Sequence, residues 1–182
     1  MKTIPLTKGR VALVDDIDYP WLSKLRWYYS SDGYATNTYL DEFGRRHRRG
    51  MHRMIMARGA PLPRSLQVDH INRDRIDNRR SNLRYATRTQ NQANKNKPKN
   101  NKSGYKGVSW HKTKWEVRIK YGAKKLYLGL YDHPFTAALV YDCAARLLYG
   151  DFAGVNFPDR PIPAEIEQIV QQRLASRQSK AA

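Results

Sequence analysis

The sequence predicts an α+β protein whose β-rich N-terminal part is followed by a three-stranded antiparallel sheet packed on one helix. Short strand-like runs separated by glycine-containing turns indicate antiparallel strands. The stretch "HPFTAALVYDCAARLLYG" indicates a helix, because Pro134 lies in its first turn and Gly150 follows its end. Its alanines would let it approach a sheet closely, and a three-stranded sheet needs such cover to be stable.

The composition predicts a nucleic-acid partner. Lys and Arg number 34 against 16 Asp and Glu, so the formal charge is +18 and the molecule attracts polyanions. A membrane surface is the rival partner, but the chain has no apolar run of about 18 residues. The single Cys143 excludes an internal disulfide and a zinc site of the C-x-x-C kind. The N-terminal stretch lacks a secretory pattern, so we expect a cytoplasmic protein.

The first 50 residues predict hairpins and a short helix. The turns are expected at Lys8-Gly9, Asp32-Gly33 and Phe43-Gly44. Pro20 lies in the first turn of the helical stretch "DYPWLSKLRW". The last hairpin carries four arginines that we expect to contact DNA phosphates, namely Arg45, Arg46, Arg48 and Arg49.

The stretch "LQVDHINRDRIDNRRSNLRYATRTQNQAN" predicts a strand, a polar loop, a second strand and a helix, with Thr87 and Gln90 forming a capping box at the helix start. His70 carries an imidazole that can take a proton from water at neutral pH. Asp69 offers a hard oxygen for Mg²⁺ or Mn²⁺, and an asparagine amide oxygen on the helix would add a second ligand. These groups suit metal-assisted phosphodiester hydrolysis.

This stretch, with "MHRMIM" ahead of it, resembles the HNH endonucleases (ββα-metal or His-Me finger), most of all the phage and intron-encoded homing branch. The resemblance implies that Asp69 binds a single divalent metal ion, Mg²⁺ or Mn²⁺, and that His70 is the general base. Asn82 would be the central Asn that ties the loop together. Asn91 occupies the third position of the motif, which is a His in the pattern that gives the HNH family its name. By the resemblance, Asn91 would be the second metal ligand.

Other polar residues near this stretch have more than one possible role. For His52, in "MHRMIM", substrate contact is open, but helix packing or a backbone hydrogen bond is the role that we favour. We expect Asp74 and Asp77 to make turn-forming hydrogen bonds in the loop. For Asp77, a second role in supporting the residues of the neighbouring site is left open.

From residue 95 to 125 the chain carries eleven Lys and Arg residues against Glu116 alone. The segment 95–103 has the composition of a linker. In the strands that follow, alternation predicts an apolar face and a basic face. The apolar face would hold Trp115, Val117, Ile119, Leu126, Leu128 and Leu130. The basic face would hold Glu116, Arg118, Lys120, Lys125 and Tyr127.

The motifs "YKGV", "KWEVRI", "LYLGLYD", "AALVYDCAA" and "GVNFP" resemble the plant ethylene-response-factor (APETALA-two type) DNA-binding domain over residues 103–158. By that resemblance the sheet lies in the major groove of double-stranded DNA. The implied contact residues are Lys106, Arg118, Lys120, Lys125 and Tyr127. Ser109 departs from the plant pattern, which has an Arg there.

We therefore expect an HNH nuclease domain at 1–94, with a β-rich part at 1–50 and the ββα-metal motif at about 66–94. A basic linker at 95–103, an ethylene-response-factor-like domain at 104–158 and a C-terminal helix and tail at 159–182 would follow. The expected function is that of a homing-type DNA endonuclease of a bacterial or phage-infected cell, acting as a monomer or weak homodimer. The alternatives are a sequence-specific DNA-binding protein or repressor that keeps a silent HNH scaffold, and a non-specific or RNA nuclease.

Overall fold

The computed structural model describes residues 1–58, 62–98 and 100–178. It divides into two compact units, Met1–Arg88 and Thr89–Ala182. Both units mix helices with antiparallel strands, so the predicted α+β class is confirmed. Lys99 of the predicted linker and the tail beyond residue 178 lie outside the described residues.

The first unit contains small antiparallel sheets and two short helices. Its elements are β1 (Lys2–Pro5), β2 (Val11–Val14), α1 (Tyr19–Leu22), β3 (Tyr28–Tyr29), β4 (Ala35–Leu40), β5 (Arg46–Gly50), α2 (Met51–Met56), β6 (Leu66–His70) and β7 (Leu83–Thr87). The pairs β1–β2 and β6–β7 form two-stranded sheets, and β3–β4–β5 form a three-stranded one. All three predicted turns are present, with Gly9, Gly33 and Gly44 at φ values of 64°, 83° and 73° that favour glycine.

The core of the first unit joins all three sheets. Ile4 and Val14 from β1 and β2 pack with Met51 and Ile55 from α2 and with Val68 from β6. Leu22 of α1, Ala35 of β4 and Leu83 of β7 complete the same cluster. Burial of apolar surface contributes about 25 cal/mol per Å² to folding stability. This cluster is therefore the main stabilising feature of the unit. Strand β6 is therefore held firmly where its polar end begins.

The loop between β6 and β7 is fastened to the outer edge of β2. Leu13 donates its backbone N–H to Ile76 O at 2.9 Å and accepts from the N–H of Asn78 at 2.8 Å. Leu13 and Asp77 thus form a parallel bridge. A 3₁₀ turn, Arg80–Asn82, leads from this loop into β7.

The second unit is a three-stranded antiparallel sheet packed on a long helix. Its elements are β8 (Val108–His111), β9 (Lys114–Tyr121), β10 (Lys124–Tyr131), α4 (Pro134–Tyr149) and α5 (Ala164–Gln178), preceded by α3 (Arg88–Asn94), which crosses the unit boundary. The strand order is β10–β9–β8. Ala137, Ala138 and Ala144 of α4 are completely buried against the sheet, as their small size predicts. Helix α4 ends at Gly150, where φ is 52°.

The predicted inward position of Leu130 is wrong. Tyr127 lies opposite Arg118, but Gly129 lies opposite Val117, so β10 has one extra residue, Leu128. This β-bulge reverses the alternation beyond it. Leu130 therefore lies opposite Glu116 on the basic face and is 40% exposed.

Candidate active site and nucleic-acid interface

His70 ends β6 and is almost fully buried, with 4% of its surface exposed. Its Nε2 lies 3.4 Å from Oδ1 of Asn78 in the loop fastened to β2. Burial lowers the pKa of His70 below its ordinary value, although Asn78 and the nearby carboxylates of Asp69, Asp74 and Asp77 oppose this shift. The imidazole is consequently neutral at neutral pH and able to accept a proton.

Asp69 is buried beside it, with 5% of its surface exposed. It lies directly across the β6–β7 pair from Arg84. Arg84 donates from Nε and Nη2 to the same oxygen, Oδ2 of Asp69, at 3.0 and 2.9 Å. A buried carboxylate requires such a cationic partner. The arginine therefore makes it possible to keep a hard oxygen ligand inside the fold.

Asn82 joins the two arms of the loop. Its Oδ1 accepts the backbone N–H of Asn72 at 2.9 Å, and its Nδ2 donates to the backbone oxygen of Asp77 at 2.8 Å. Its own backbone oxygen accepts the N–H of Ile71 at 2.9 Å. Asn82 thus fixes the loop that follows His70 in one conformation.

Asp77 stabilises the same loop from inside. Its carboxylate accepts from Nε and Nη2 of Arg79 at 2.8 and 2.6 Å and from Nδ2 of Asn72 at 2.8 Å. The Arg79 guanidinium holds the pKa of Asp77 below its usual value. Asp74 accepts the backbone N–H of Ile76 at 3.1 Å, which is a turn-forming bond of the expected type.

His52 of α2 forms a ring cluster with His70 that was not evident from the sequence. The two ring centroids are 5.0 Å apart in an edge arrangement, and Tyr34 is 5.0 Å from His52 and 5.9 Å from His70. Burial lowers the pKa of His52 to about 3. Within the described part of the chain its Nδ1 has no hydrogen-bond partner, so this nitrogen does not make the backbone bond that we favoured.

Gly50 makes room for this ring. A Cβ atom at residue 50 would lie 2.5 Å from Cε1 of His52. The backbone φ of Gly50 is −80°, so space and not conformation requires glycine here. Gly50, two residues before His52, is thus a sequence feature that the packing of His52 requires.

Asn91 lies on α3 and belongs to the second unit. The helix begins at Arg88, as Thr87 in the N-cap position predicts. No group of three or more His, Cys, Asp or Glu side chains among the described residues could hold a metal ion. The donor types of Asp69 and Asn91 are both oxygen, which suits Mg²⁺ or Mn²⁺ because these ions take few protein ligands and keep water and phosphate oxygens.

The four arginines of the β4–β5 hairpin have different surroundings. Arg46 and Arg48 are exposed and alternate with His47 and Arg49 along β5. Arg49 is half-buried, with its guanidinium 4.5 Å from the Tyr39 ring and its Nε 3.2 Å from Oδ1 of Asn37. Arg45 packs on Phe43 at 4.8 Å. Arg46 and Arg48 are thus the more accessible pair for a phosphate backbone.

Strands β9 and β10 present a basic outer face. Lys120 lies directly opposite Lys125, and Arg118 lies directly opposite Tyr127. Facing lysines repel one another unless an anion lies over them. Arg118 donates from Nη2 to Oε1 of Glu116 at 2.8 Å, and the carboxylate raises the pKa of Arg118. This pair holds one guanidinium at a fixed place on the face.

Lys106 differs from the other predicted contact residues. Its ammonium donates to the backbone oxygens of Ala93 and Lys95, the latter at 2.6 Å. These carbonyls lie at the C-terminal end of α3, where a cation is favourable. Its role in DNA contact remains a prediction.

Comparisons with known proteins agree with these features. A family model described as HNH endonuclease matches residues 49–93, which include α2, β6, β7 and most of α3. An uncharacterized HNH endonuclease of Acanthamoeba polyphaga mimivirus is 32% identical over 151 residues, covering 82% of this chain and 76% of the relative. The chain therefore belongs to the HNH endonuclease family.

Two further relatives match parts of the chain. Protein 3.8 of Escherichia phage T7 is 32% identical over 99 residues, covering 53% of this chain and 81% of that protein. Ethylene-responsive transcription factor ERF018 of Arabidopsis thaliana is 38% identical over 69 residues, and this chain covers 35% of its length. The resemblance to plant ethylene-response factors is thereby confirmed.

No solved structure gave a match. Among the described residues, no helix is both long and apolar enough to pass through a lipid bilayer.

Proposed function

We propose that this protein is a site-directed DNA endonuclease of the homing type, which hydrolyses phosphodiester bonds with one divalent metal ion. The observation that carries the proposal is the buried pair of Asp69 and His70 at the end of β6, within the segment that matches the HNH endonuclease family. A neutral imidazole beside a buried carboxylate combines a base with a metal ligand.

His70 would take a proton from the water that attacks phosphorus. Asn82 supports this step by fixing the loop after His70, and Arg84 balances the charge of Asp69. The products would be a 5′ phosphate and a 3′ hydroxyl, as the family resemblance implies.

The metal ligands that we propose are Asp69 and, on the resemblance alone, Asn91. When bound, Mg²⁺ or Mn²⁺ supplies a Lewis acid that stabilises negative charge on the reacting phosphate oxygens. Because both donors are oxygens, the site should prefer these hard ions to Zn²⁺.

The outer face of the second unit's sheet would direct the enzyme to its target. Lys120, Lys125 and Arg118 supply cations on one face, and Tyr127 lies opposite Arg118. Such a surface binds phosphates through charge and can read base edges in the major groove. Arg46 and Arg48 of β5 would bind phosphates near the cleaved strand.

The test uses the full chain with supercoiled plasmids that carry phage DNA inserts, at low salt, with Mg²⁺, Mn²⁺ or EDTA. His70→Ala should abolish cleavage and leave DNA affinity within about twofold, since it removes no surface charge. His133→Ala, a substitution of an exposed histidine without a side-chain capping bond, is the matched control and should cut normally. Cleavage by His70→Ala at the wild-type rate would remove His70 from the mechanism.

The second candidate is a sequence-specific DNA-binding protein with a silent HNH scaffold. The basic sheet face alone would support that function. Tight, salt-sensitive and selective DNA binding, without cleavage in the presence of Mg²⁺ or Mn²⁺, would establish this second function. In the endonuclease case, open-circle or linear product distinguishes nicking by one copy from paired cuts by a homodimer.

A further inference from the structure

Asn78 is a fully buried residue that lies behind His70. None of its surface is exposed, and its backbone N–H is bonded to Leu13 O at 2.8 Å. Because Leu13 and Asp77 form a parallel bridge, the backbone of Asn78 is fixed by the edge of β2. Its side chain consequently has a defined position relative to the end of β6.

The contact between the two side chains determines where the imidazole proton lies. Oδ1 of Asn78 is 3.4 Å from Nε2 of His70, and an amide oxygen can accept but not donate a hydrogen bond. A neutral imidazole has one protonated and one unprotonated nitrogen. Nε2 must therefore carry the hydrogen, and Nδ1 must carry the lone pair.

Asn78 is costly to keep as a purely structural residue. Its Nδ2 is buried and has no hydrogen-bond partner within the described residues. A buried amide without a partner loses the hydrogen bond that it would make to water, whereas an apolar side chain of the same size would fill the space without that cost. An asparagine kept at this cost indicates a function for its amide oxygen, which contacts His70.

We propose that Asn78 is the positioning residue that sets the tautomer of His70, so that Nδ1 is the atom that accepts the proton. His52 also packs against this ring, since the centroids of the two imidazoles are 5.0 Å apart in an edge arrangement. The tautomer assignment follows from the contact itself, and its use in cleavage rests on the proposed endonuclease function.

The proton and electron balance is then complete. A water O–H bond breaks, its proton goes to Nδ1 of His70, and the oxygen's electron pair forms the new bond to phosphorus. The bond from phosphorus to the 3′ oxygen breaks, and that oxygen takes a proton from solvent. Nδ1 later returns its proton to solvent. The Nε2–H group of His70 stays hydrogen-bonded to Oδ1 of Asn78 throughout.

The experiment measures ¹⁵N imidazole NMR spectra of the full chain at neutral pH, with the His70 signals identified by their loss in His70→Ala. The wild type should show the Nε2–H tautomer. Asn78→Leu should raise the Nδ1–H population and lower kcat about 10- to 100-fold at unchanged KM for DNA. Asn78→Asp keeps an acceptor and should restore the wild-type tautomer.

A wild-type His70 in the Nδ1–H form would overturn the proposal. So would a folded Asn78→Leu variant with the wild-type tautomer and kcat. If Asn78→Leu does not fold, the wild-type and Asn78→Asp spectra still test the tautomer assignment of His70. An Nε2–H tautomer that depends on Asn78, in a chain that cuts no DNA, would support the assignment and disprove the endonuclease function instead.

Discussion

Arg80 holds the buried carboxylate of Asp18, 62 residues earlier in the chain, with two hydrogen bonds of 2.7 and 2.9 Å. Only 1% of the Asp18 side chain is exposed. The backbone N–H of Arg80 also donates to Oδ2 of Asp15 at 2.7 Å. The turn before Asn82 is therefore anchored to the segment that joins β2 to α1.

Replacing Arg80 by Met should destabilise the first unit by about 3 kcal/mol, because it leaves the charge of Asp18 buried with the more distant Arg58. Chemical denaturation, together with hydrogen exchange at the amides of Leu13 and Asn82, measures this effect. Arg64→Met, at an exposed position in the same unit, is the control and should change stability by less than about 0.5 kcal/mol. Equal stability of the two variants would contradict a structural role for the Asp18 pair.

The stability of the first unit should decrease as pH falls from about 6.5, the ordinary pKa of histidine. His52 has a pKa of about 3 in the folded chain, so protons bind the unfolded chain more readily in this range. Its contribution is fully present above the unfolded pKa and is lost toward the folded pKa. The slope for one such group is at most about 1.4 kcal/mol per pH unit.

His52→Gln should make this pH dependence shallower, as measured by urea denaturation between about pH 6.5 and 5. His47→Gln is the matched control, since His47 is exposed, and it should leave the slope as in the wild type. An unchanged slope in His52→Gln would show that His52 is not the buried neutral group.

Glu116→Gln should reduce the discrimination between target and random DNA. The carboxylate of Glu116 holds Arg118 in place, and without it the guanidinium is mobile and able to bind any phosphate. The plot of log K against log salt should become steeper by about 0.9, the value for one added phosphate contact. Glu165→Gln, which removes an exposed charge on α5, is the control. Full selectivity in Glu116→Gln would refute this role.

Lys120→Met and Lys106→Met should differ in their effect on DNA binding. Lys120 faces Lys125 on the outer surface, and its loss should reduce the salt slope by about 0.9. The ammonium of Lys106 is bonded to the carbonyls of Ala93 and Lys95, so we expect a smaller change in the salt slope and fraying of α3. Fluorescence anisotropy at several salt concentrations, with circular dichroism, distinguishes the two. Equal loss of slope would show that Lys106 contacts phosphate.

Local patterns predicted the local structure well. Glycine at Gly9, Gly33 and Gly44 located turns because these positions need a positive φ. The alternation in β9 was correct, but the same rule failed at Leu130 because the bulge at Leu128 adds a residue. Gly129 inside the strand was the available signal for this irregularity.

The surroundings of the predicted base could not be derived in the same way. Spacing within one motif pointed to Asp69 and His70, but it did not show which side chains contact the His70 ring. His52 lies 18 positions before it in α2 and Asn78 lies eight positions after it in the loop, so neither belongs to the strand that carries His70. Such contacts depend on tertiary packing, which a single sequence does not reveal.

The bridge between Leu13 and Asp77 has a consequence for protein engineering. The family match spans 49–93, whereas the β2 edge that fixes Asn78 lies at Val11–Val14. A graft of the matched segment into another scaffold would carry the histidine but leave behind the strand that orients it. A transplantable cassette must therefore begin at the N-terminal hairpin and, to keep the proposed ligand Asn91, continue through α3.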